Sequence, residues 1–259
     1  MIEIRNLQKQ FNEKPVLRGV NLTIKPGERI VVMGRSGCGK SVLLKHIIGL
    51  IKPDDGEIFI DGEDITRLKQ KDLFEVRKKF GMLFQASALF DSMTVEENVS
   101  LALKKHTSLS DTEIKRKVQE NLDRVGLPNV GGMAPSDLSG GMKKRVGLAR
   151  ALAMDPSYIL YDEPTTGLDP IMADIIDSLV LEIGSSLNVT TIIVTHDIKS
   201  AFATGSRITM LHRGIIHFDG SVDEARNTTD PVLKQFIEGS KDGPIKPKTK
   251  DGLPDIEEE

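Results

Sequence analysis

The feature that most constrains the fold of this chain is a glycine-rich loop between a strand-like run and a helix-like run. The loop consists of Gly34, Arg35, Ser36, Gly37, Cys38, Gly39, Lys40 and Ser41. It follows the apolar run ERIVVM and precedes VLLKHIIGL, which has helical character. Glycines let the backbone curl until successive N–H groups point inward, and the next helix adds its positive end. The pattern GxxxxGK[ST] in this setting predicts a site for phosphate groups.

Short apolar runs alternate with helical patterns along most of the chain. The runs ERIVVMG, YILYDEP, TTIIVTHD and SRITMLH are rich in β-branched residues and lack in–out alternation. This pattern is typical of parallel strands that are covered on both faces. Capping sequences that begin at Thr94, Ser110 and Ser221, and Asp169 before a proline, indicate helix starts between them. The sequence therefore predicts an α/β fold with a parallel sheet.

The N-terminal region has a different pattern. VLRGVNLTI and GEIFIDG read as antiparallel strands, with turns at Pro26-Gly27 and Asp61-Gly62. From Gly239 onward the last 21 residues carry three Gly, three Pro and ten charges. This composition predicts either a disordered tail or, because of Ile245, Leu253 and Ile256, a docking segment. We divide the chain into a domain over residues 1–238 and a tail over 239–259.

Composition excludes several classes of protein. With 39% hydrophobic residues among 259, the chain buries a sizeable core and is not disordered as a whole. A net charge of -3, from 35 basic and 38 acidic residues, gives no electrostatic case for binding nucleic acid. The single cysteine fits a reducing compartment. No signal-peptide pattern and no run of ~18–20 apolar residues is present, so we expect a cytoplasmic chain that reaches membranes through a partner.

Two acidic residues follow the strand-like run Tyr158-Ile159-Leu160-Tyr161. A carboxylate at the carboxyl end of a parallel strand can face the phosphate loop. Within that loop, Lys40 is placed to reach the β- and γ-phosphates of a nucleotide, and the Ser41 hydroxyl to bind Mg²⁺. We expect Asp162 to hold Mg²⁺ through water and Glu163 to act as general base toward the attacking water.

A second candidate phosphate site is the segment Leu138-Ser139-Gly140-Gly141-Met142, which we call the signature segment. It opens the amphipathic run MKKRVGLARALAM and so forms a helix N-terminus. A helical region separates it from the phosphate loop, so a second copy of the chain is the better donor. The segment closely resembles the LSGGQ signature of the ATP-binding cassette (ABC) family, with Met142 at the usual Gln position. Ser139, Gly140 and Gly141 match that motif and are implied to contact nucleotide.

The resemblance to the ABC family extends over about residues 1–238. Phe11 matches the aromatic residue that stacks on adenine, although a core position under the β-subdomain is the alternative. Gln85 matches the glutamine that touches Mg²⁺ and relays nucleotide state to a membrane partner. Asp169 matches an acid that crosses the dimer interface, and His196 matches the histidine at the γ-phosphate. For Cys38, a small loop residue and a redox switch remain the alternatives.

The resemblance implies a fold and a mechanism. The fold is a P-loop NTPase (RecA-like) core with an N-terminal antiparallel β-subdomain and a helical subdomain inserted at about residues 86–155. Two copies close head to tail over two ATP molecules, each with Mg²⁺, so that the signature segment of one copy faces the phosphate loop of the other. Hydrolysis removes the γ-phosphate, and the dimer opens.

Three stretches further resemble the cassettes of Mla/Mce-type phospholipid transport systems. These are MLFQASALFDSMTVEENV, TTGLDPIMADIIDSLV and DIKSAFATGSRITMLHRG. The resemblance implies an integral permease, a substrate-binding protein with an Mce domain, sometimes a STAS-domain subunit, and a position on the cytoplasmic face of the inner membrane. Residues 242–245 also resemble these cassettes, whose C-terminal extension reaches the neighbouring copy.

Alternatives stay open for the transport class. A polar amino-acid importer shares the stretches ALARALAMDP and DEPT. Non-transport cassettes of DNA repair or translation carry two cassettes, zinc modules or coiled coils, which 259 residues do not accommodate. If the chain were a small-molecule kinase, the signature segment and His196 would have no role.

One stretch of the chain is a candidate docking surface for a membrane partner. The apolar residues after Gln85, namely Ala88, Leu89, Phe90 and Met93, are either a groove for a permease helix or a local core.

Overall fold

The computed structural model describes residues 1–246. The strands are β1 (Ile2–Phe11), β2 (Lys14–Ile24), β3 (Arg29–Met33), β4 (Asp55–Ile60), β5 (Glu63–Asp64), β6 (Phe80–Leu83), β7 (Tyr158–Asp162), β8 (Thr190–Thr195), β9 (Arg207–His212) and β10 (Ile215–Ser221). The helices are α1 (Lys40–Ile47), α2 (Gln70–Arg77), α3 (Val95–His106), α4 (Asp111–Arg124), α5 (Gly140–Leu152), α6 (Pro170–Ser186), α7 (Ile198–Thr204), α8 (Val222–Arg226) and α9 (Pro231–Glu238). Two short 3-10 helices cover Ile65–Arg67 and Pro135–Asp137.

A six-stranded sheet in the order β10-β9-β3-β8-β7-β6 forms the centre of the molecule. Neighbouring strands from β9 to β6 are parallel, and β10 joins β9 as an antiparallel edge. Every residue of β7 and β8 is buried, as expected for strands that are covered on both faces. The predicted α/β fold is confirmed, and the four strand-like runs are β3, β7, β8 and β9.

The two faces of this sheet belong to two hydrophobic clusters. Along β3, Ile30 and Val32 join one cluster, and Val31 and Met33 join the other, because side chains alternate across a strand. Each fully buried aliphatic side chain contributes about 1.5–3 kcal/mol.

A second, antiparallel sheet in the order β2-β1-β4-β5 packs on one face of the central sheet. It supplies Ile2, Leu7 and Ile58 to the cluster that also contains Leu43 and Leu44 of α1. The predicted N-terminal antiparallel strands are therefore confirmed. The helix that follows the phosphate loop lies between the two sheets, which holds its N-terminus in one place.

In the chain, helices α3, α4 and α5 come between β6 and β7. In space they pack against one another as a layer. Complete capping boxes start two of them, at Thr94 with Glu97 and at Ser110 with Glu113, as the sequence predicted. Their apolar faces join the cluster on the other side of the central sheet. In the part of the chain described here, no helix is long and apolar enough to cross a bilayer.

The described part of the tail lies against its own chain. Buried Gln235 accepts a hydrogen bond from the backbone N of Ile245 at 2.6 Å and donates to its carbonyl at 3.1 Å. The Ile245 side chain packs on the main cluster. The described end of the tail, at Ile245, therefore lies against its own chain, and the reach of the C-terminal extension to a second copy stays a prediction. Leu253 and Ile256, the other residues of the predicted docking segment, lie outside the described residues.

Candidate active site

The phosphate loop joins the end of β3 to the start of α1 and requires glycine at two positions. Gly34 has φ +154°, and a Cβ added there would lie 2.3 Å from the carbonyl oxygen of Leu211. Gly39, the N-cap of α1, has φ +108°, which L side chains rarely adopt. The loop therefore brings its backbone against β9 and leads directly into the N-terminus of a buried helix.

Lys40 is enclosed by the loop that precedes it. Its side chain is 5% exposed, and Nζ donates to the carbonyl oxygens of Gly34 at 2.8 Å and Arg35 at 3.2 Å. The same ammonium lies 3.6 Å from Oε1 of Glu163. Backbone oxygens and one carboxylate thus hold the buried Lys40 ammonium beside the loop, where it can bind an anion.

Ser41 and Asp162 meet although 121 residues separate them. The Ser41 hydroxyl donates to Oδ1 of Asp162 at 2.8 Å, because β3 and β7 end at the same edge of the sheet. A hydroxyl and a carboxylate are hard oxygen donors of the kind that Mg²⁺ prefers. Within residues 1–246 no group of three or more His, Cys, Asp and Glu side chains could hold a metal ion.

Glu163 follows Asp162 with a left-handed backbone conformation, φ +52°, and only 8% of the residue is exposed. Its Oε2 accepts from Nδ1 of His196 at 2.8 Å and from the Thr195 hydroxyl at 3.4 Å. The backbone N of Glu163 donates to Val194 at 2.8 Å, so the end of β8 holds both its main chain and its carboxylate. Left-handed conformation at a non-glycine residue is costly and is typical of functional sites.

Lys40, Ser41, Glu163 and His196 line one cavity of about 320 Å³. Its lining includes Val16, Ser36, Gly37, Gly39, Lys40, Ser41, Val42, Gln85, Glu163 and His196. A volume of this size is within the range of small-molecule sites. The lining combines polar groups with the apolar side chains of Val16 and Val42. Such a lining suits a ligand that has phosphates and an apolar part.

Three residues of the predicted nucleotide site have other surroundings. Phe11 is 42% exposed at the end of β1, so the alternative that it is a core residue is wrong. The Arg35 guanidinium donates to the carbonyl of Lys246 at 2.6 Å, toward the tail. Cys38 is half-buried, and burial raises the pKa of its thiol above the ordinary value. A raised pKa keeps the thiol protonated, which favours a small loop residue over a redox switch.

The signature segment forms a separate, outward-facing site. Ser139 is the exposed N-cap of α5, and its hydroxyl accepts from the backbone N of Met142 at 3.3 Å. Asp169 is the exposed N-cap of α6 and accepts from the backbone N of Met172 at 3.0 Å. A Cβ at Gly141 would lie 2.2 Å from Cε of Met172, so the two helix starts pack together. Neither start lines the cavity of its own copy.

The sequence did not reveal one residue beside this cavity. Lys144 on α5 is 4% exposed and donates to the carbonyl oxygens of Gln85 at 2.6 Å and Glu163 at 3.3 Å. Burial lowers its pKa, and the nearby carboxylates of Asp162 and Glu163 oppose that shift. The available signal was the helical spacing, because Lys144 is four residues before buried Leu148 on the same face.

Fold and site together define a nucleotide-hydrolysing cassette with a phosphate loop, an acid pair after β7 and a histidine after β8. The chain belongs to the ABC transporter family, whose model matches residues 17–166, more than half of its length. Members of the family bind and hydrolyse ATP, and this chain is an ABC-type ATPase.

Several known proteins are similar to this chain. The intermembrane phospholipid transport system ATP-binding protein MlaF of Haemophilus influenzae is 39% identical over 246 residues, covering 95% of this chain and 93% of the relative. MlaF of Escherichia coli K12 is 37% identical over 245 residues, covering 95% and 91%. The probable ribonucleotide transport ATP-binding protein mkl of Mycobacterium tuberculosis H37Rv is 42% identical over 244 residues, covering 94% and 68%.

Solved cassette structures have the same fold. The dimeric ABC transporter cassette MJ0796 superposes with a TM-score of 0.80 at 36% identity, covering 86% of this chain and 99% of that one. The cassette cbiO1 of Clostridium perfringens superposes with a TM-score of 0.81 at 30% identity, covering 90% and 93%.

Proposed function

We propose that this chain is the ATP-hydrolysing subunit of a phospholipid transport system, bound to a permease on the cytoplasmic face of the inner membrane. The observation that carries the proposal is the shared cavity of Lys40, Glu163 and His196 in a chain whose relatives include MlaF. The name of MlaF supports phospholipid as cargo. The mycobacterial relative, whose name gives ribonucleotides, is a longer protein that this chain covers to 68%.

The residues of the cavity divide the work of hydrolysis. Backbone N–H groups of the phosphate loop and the Lys40 ammonium bind the phosphates of ATP. Glu163 takes a proton from the attacking water, and His196, which holds the Glu163 carboxylate at 2.8 Å, orients that water and the γ-phosphate. Ser41, Asp162 and Gln85 would hold Mg²⁺, which would neutralise phosphate charge there. Phe11, exposed beyond the loop, stacks on the adenine ring.

A second copy completes the site. Ser139, Gly140, Gly141 and Asp169 lie outside the cavity of their own copy, and the first two and the last are exposed. In a head-to-tail dimer the N-terminus of α5 faces the γ-phosphate bound by the partner's loop and stabilises its charge. The description of the similar cassette MJ0796 as dimeric supports this arrangement.

The surface after Gln85 is the docking site for the permease. Phe90 is 49% exposed and Ala88 is exposed, whereas Leu89 is half-buried against the cluster that includes α3, α4 and α5, and Met93 is half-buried. Leu89 therefore belongs to a local core, and exposed Ala88 and Phe90 support the groove for a permease helix. An Mce-domain protein and a STAS-domain subunit complete the proposed complex.

The proposal is tested by purifying the tagged chain from its native membranes in mild detergent and identifying proteins and lipids by mass spectrometry. We expect a polytopic permease, an Mce-domain protein and bound phospholipid. Recovery of an amino-acid-binding protein or its permease would support the polar amino-acid importer instead. Recovery of no membrane protein would support a non-transport cassette.

The ATPase half of the proposal is tested separately with Lys40→Ala. We expect loss of ATP binding, since no other ammonium faces the loop carbonyls of Gly34 and Arg35 in the described structure. Lys234→Ala, which changes an exposed lysine on α9, is the control and should bind ATP normally. Unchanged ATP binding by Lys40→Ala would show that the phosphate loop is not part of the ATP site.

A further inference from the structure

Helix α5 sends two cationic side chains to the loop that follows β6. Lys144 donates from Nζ to the carbonyl oxygen of Gln85 at 2.6 Å and to that of Glu163 at 3.3 Å. Gln85 and Glu163 both line the cavity, and 78 residues separate them in the chain. One buried ammonium therefore joins the main chains of two elements that face the same ligand.

Arg150 makes the second connection, two turns further along the helix. Its guanidinium donates from Nη1 to the carbonyl of Ala88 at 2.6 Å and from Nη2 to the carbonyl of Ser87 at 2.8 Å. Both acceptor residues have left-handed backbones, with φ +60° at Ser87 and φ +49° at Ala88. Because such conformations persist only where surrounding contacts hold them, the guanidinium stabilises the shape of this loop.

Close packing between these two cations leaves the loop little freedom. A Cβ at Gly147 would lie 2.9 Å from Cδ1 of Leu83 and 3.4 Å from Ser87. The face of α5 that carries Lys144, Gly147 and Arg150 is therefore pressed against the end of β6 and the loop after it. Hydrogen bonds from two cations and this close packing therefore hold the loop of residues 85–88 on α5.

Not every cation on α5 points toward the cavity. Arg145, next to Lys144, donates from Nη1 to the carbonyl oxygens of Val125 at 3.4 Å and Gly126 at 3.1 Å, at the end of α4. The two neighbours make the same kind of contact, a cation shared between two carbonyls, with different parts of the molecule. Arg145 is therefore a matched control for Lys144.

Lys144 lies on the same helix as the signature segment, so its contacts with Gln85 and Glu163 connect that segment to the cavity. The N-cap of α5 is Ser139, which we place against the γ-phosphate of a partner copy, and Lys144 lies about 7.5 Å further along the helix axis. A rotation of α5 that brought Ser139 to its ligand would move Lys144 with it. The carbonyls of Gln85 and Glu163 would then change position relative to the cavity.

We propose that Lys144 is a positioning residue for ATP hydrolysis, which sets Gln85 and Glu163 relative to each other and transmits movement of α5 to both. Arg150 supports it by holding residues 87 and 88. This inference rests on the proposed function, and it adds a residue that is not among those lining the cavity. A purely structural ammonium in this position could be replaced by an apolar side chain of similar volume without loss of turnover.

The test compares Lys144→Met, Lys144→Arg and the control Arg145→Met in the full chain with the membrane proteins that co-purify with it. We expect Lys144→Met to lower kcat for ATP roughly tenfold or more with KM changed less than about threefold, since misplacing a reacting group costs turnover more than binding. Lys144→Arg, which keeps donors for both carbonyls, should restore most of kcat. Arg145→Met should keep the kcat of the parent chain.

Amide hydrogen exchange gives a second measurement that does not depend on activity. We expect faster exchange in residues 85–88 of Lys144→Met than in the parent chain, and unchanged exchange there in Arg145→Met. Parent-like kcat or unchanged exchange in Lys144→Met would overturn the inference, as would a kcat of Lys144→Arg as low as that of Lys144→Met. If Lys144→Met does not fold, Lys144→Leu, which also lacks a hydrogen-bond donor, takes its place under the same criteria.

The failure of this inference is distinguishable from the failure of the proposed function. An active parent complex with Lys144→Met equally active overturns only the positioning role. A parent complex that does not hydrolyse ATP overturns both.

Discussion

His196 holds the carboxylate of Glu163 by a hydrogen bond of 2.8 Å from its Nδ1. The two residues follow neighbouring parallel strands, β8 and β7, and the contact spans 33 positions of the chain. Because Nδ1 must carry a proton to donate, Nε2 is the nitrogen left to meet a ligand. This geometry fixes the direction of the Glu163 carboxylate.

Replacing the histidine tests that relationship. We expect His196→Ala to lower kcat for ATP by roughly 10²-fold with a small change in KM, because the base loses its orientation while the phosphate contacts remain. His217→Ala is the matched control, since His217 is paired with Asp230 at 3.0 Å outside the cavity. Equal activity in the two variants would contradict an orienting role for His196.

Replacing the carboxylate separates binding from turnover. We expect Glu163→Gln to bind ATP with near-normal affinity and to lose roughly 10²–10⁴-fold in hydrolysis, the usual contribution of a general base. The stalled variant should elute as a dimer on gel filtration with ATP, because the γ-phosphate that bridges two copies is not removed. Glu120→Gln, at an exposed position of α4, serves as the control. Normal turnover in Glu163→Gln would exclude the base role.

Asp177 on α6 predicts a pH-dependent stability. It is buried, its Oδ2 accepts from the Ser200 hydroxyl at 2.7 Å, and its Oδ1 has no hydrogen-bond partner among residues 1–246. Burial raises its pKa to about 6, and the negative charges of Asp197 and Asp174 add to that shift. The folded state therefore holds the proton more tightly than the unfolded state. Its contribution to stability is fully present below about pH 4 and is lost as the pH rises through about 6.

Removing that charge should stabilise the protein at neutral pH. We expect the free energy of unfolding of Asp177→Asn to exceed that of the parent chain by about 2–3 kcal/mol at pH 7.5, since position 177 then carries no buried negative charge. The difference should shrink toward pH 5 in urea unfolding. Glu182→Gln, which changes an exposed acid on the same helix that is not among the charges acting on Asp177, should show no such trend. A difference independent of pH would contradict the prediction.

The exposed aromatic after β6 predicts where the membrane partner binds. We expect Phe90→Asp to abolish recovery of the permease from detergent extracts, because a charge replaces an apolar contact at the proposed docking surface. Ile215→Asp is the control, since Ile215 is 42% exposed on β10, at the opposite edge of the sheet from β6. Full recovery with Phe90→Asp would place the docking surface elsewhere.

Local features of the fold were predictable from the sequence because the interactions that form them span few residues. The helix starts at Thr94 and Ser110 depend on side chains that bind backbone groups three positions away. The phosphate loop is a contiguous segment whose glycines adopt conformations closed to other residues. Strands buried on both faces are visible as apolar runs.

Strand β6 was not predicted, for a physical reason. It has only four residues and contains Gly81, where a Cβ would lie 2.3 Å from the carbonyl of Ala151. A glycine weakens any strand pattern in the sequence, and here it is needed because α5 packs directly on the strand. The loop with Gln85, at the edge of the sheet, depends on that packing.

The sequence by itself determined the phosphate loop, the acid pair after β7, the helix starts and the family. Tertiary structure decided which side chains meet: His196 with Glu163, Ser41 with Asp162, and Lys144 with the carbonyl of Gln85, 59 positions away. Lys143 and Lys144 are chemically identical in the sequence, yet only the second is buried. The direction in which a helical side chain points becomes functional only when the helix packs, and that packing depends on contacts between distant parts of the chain.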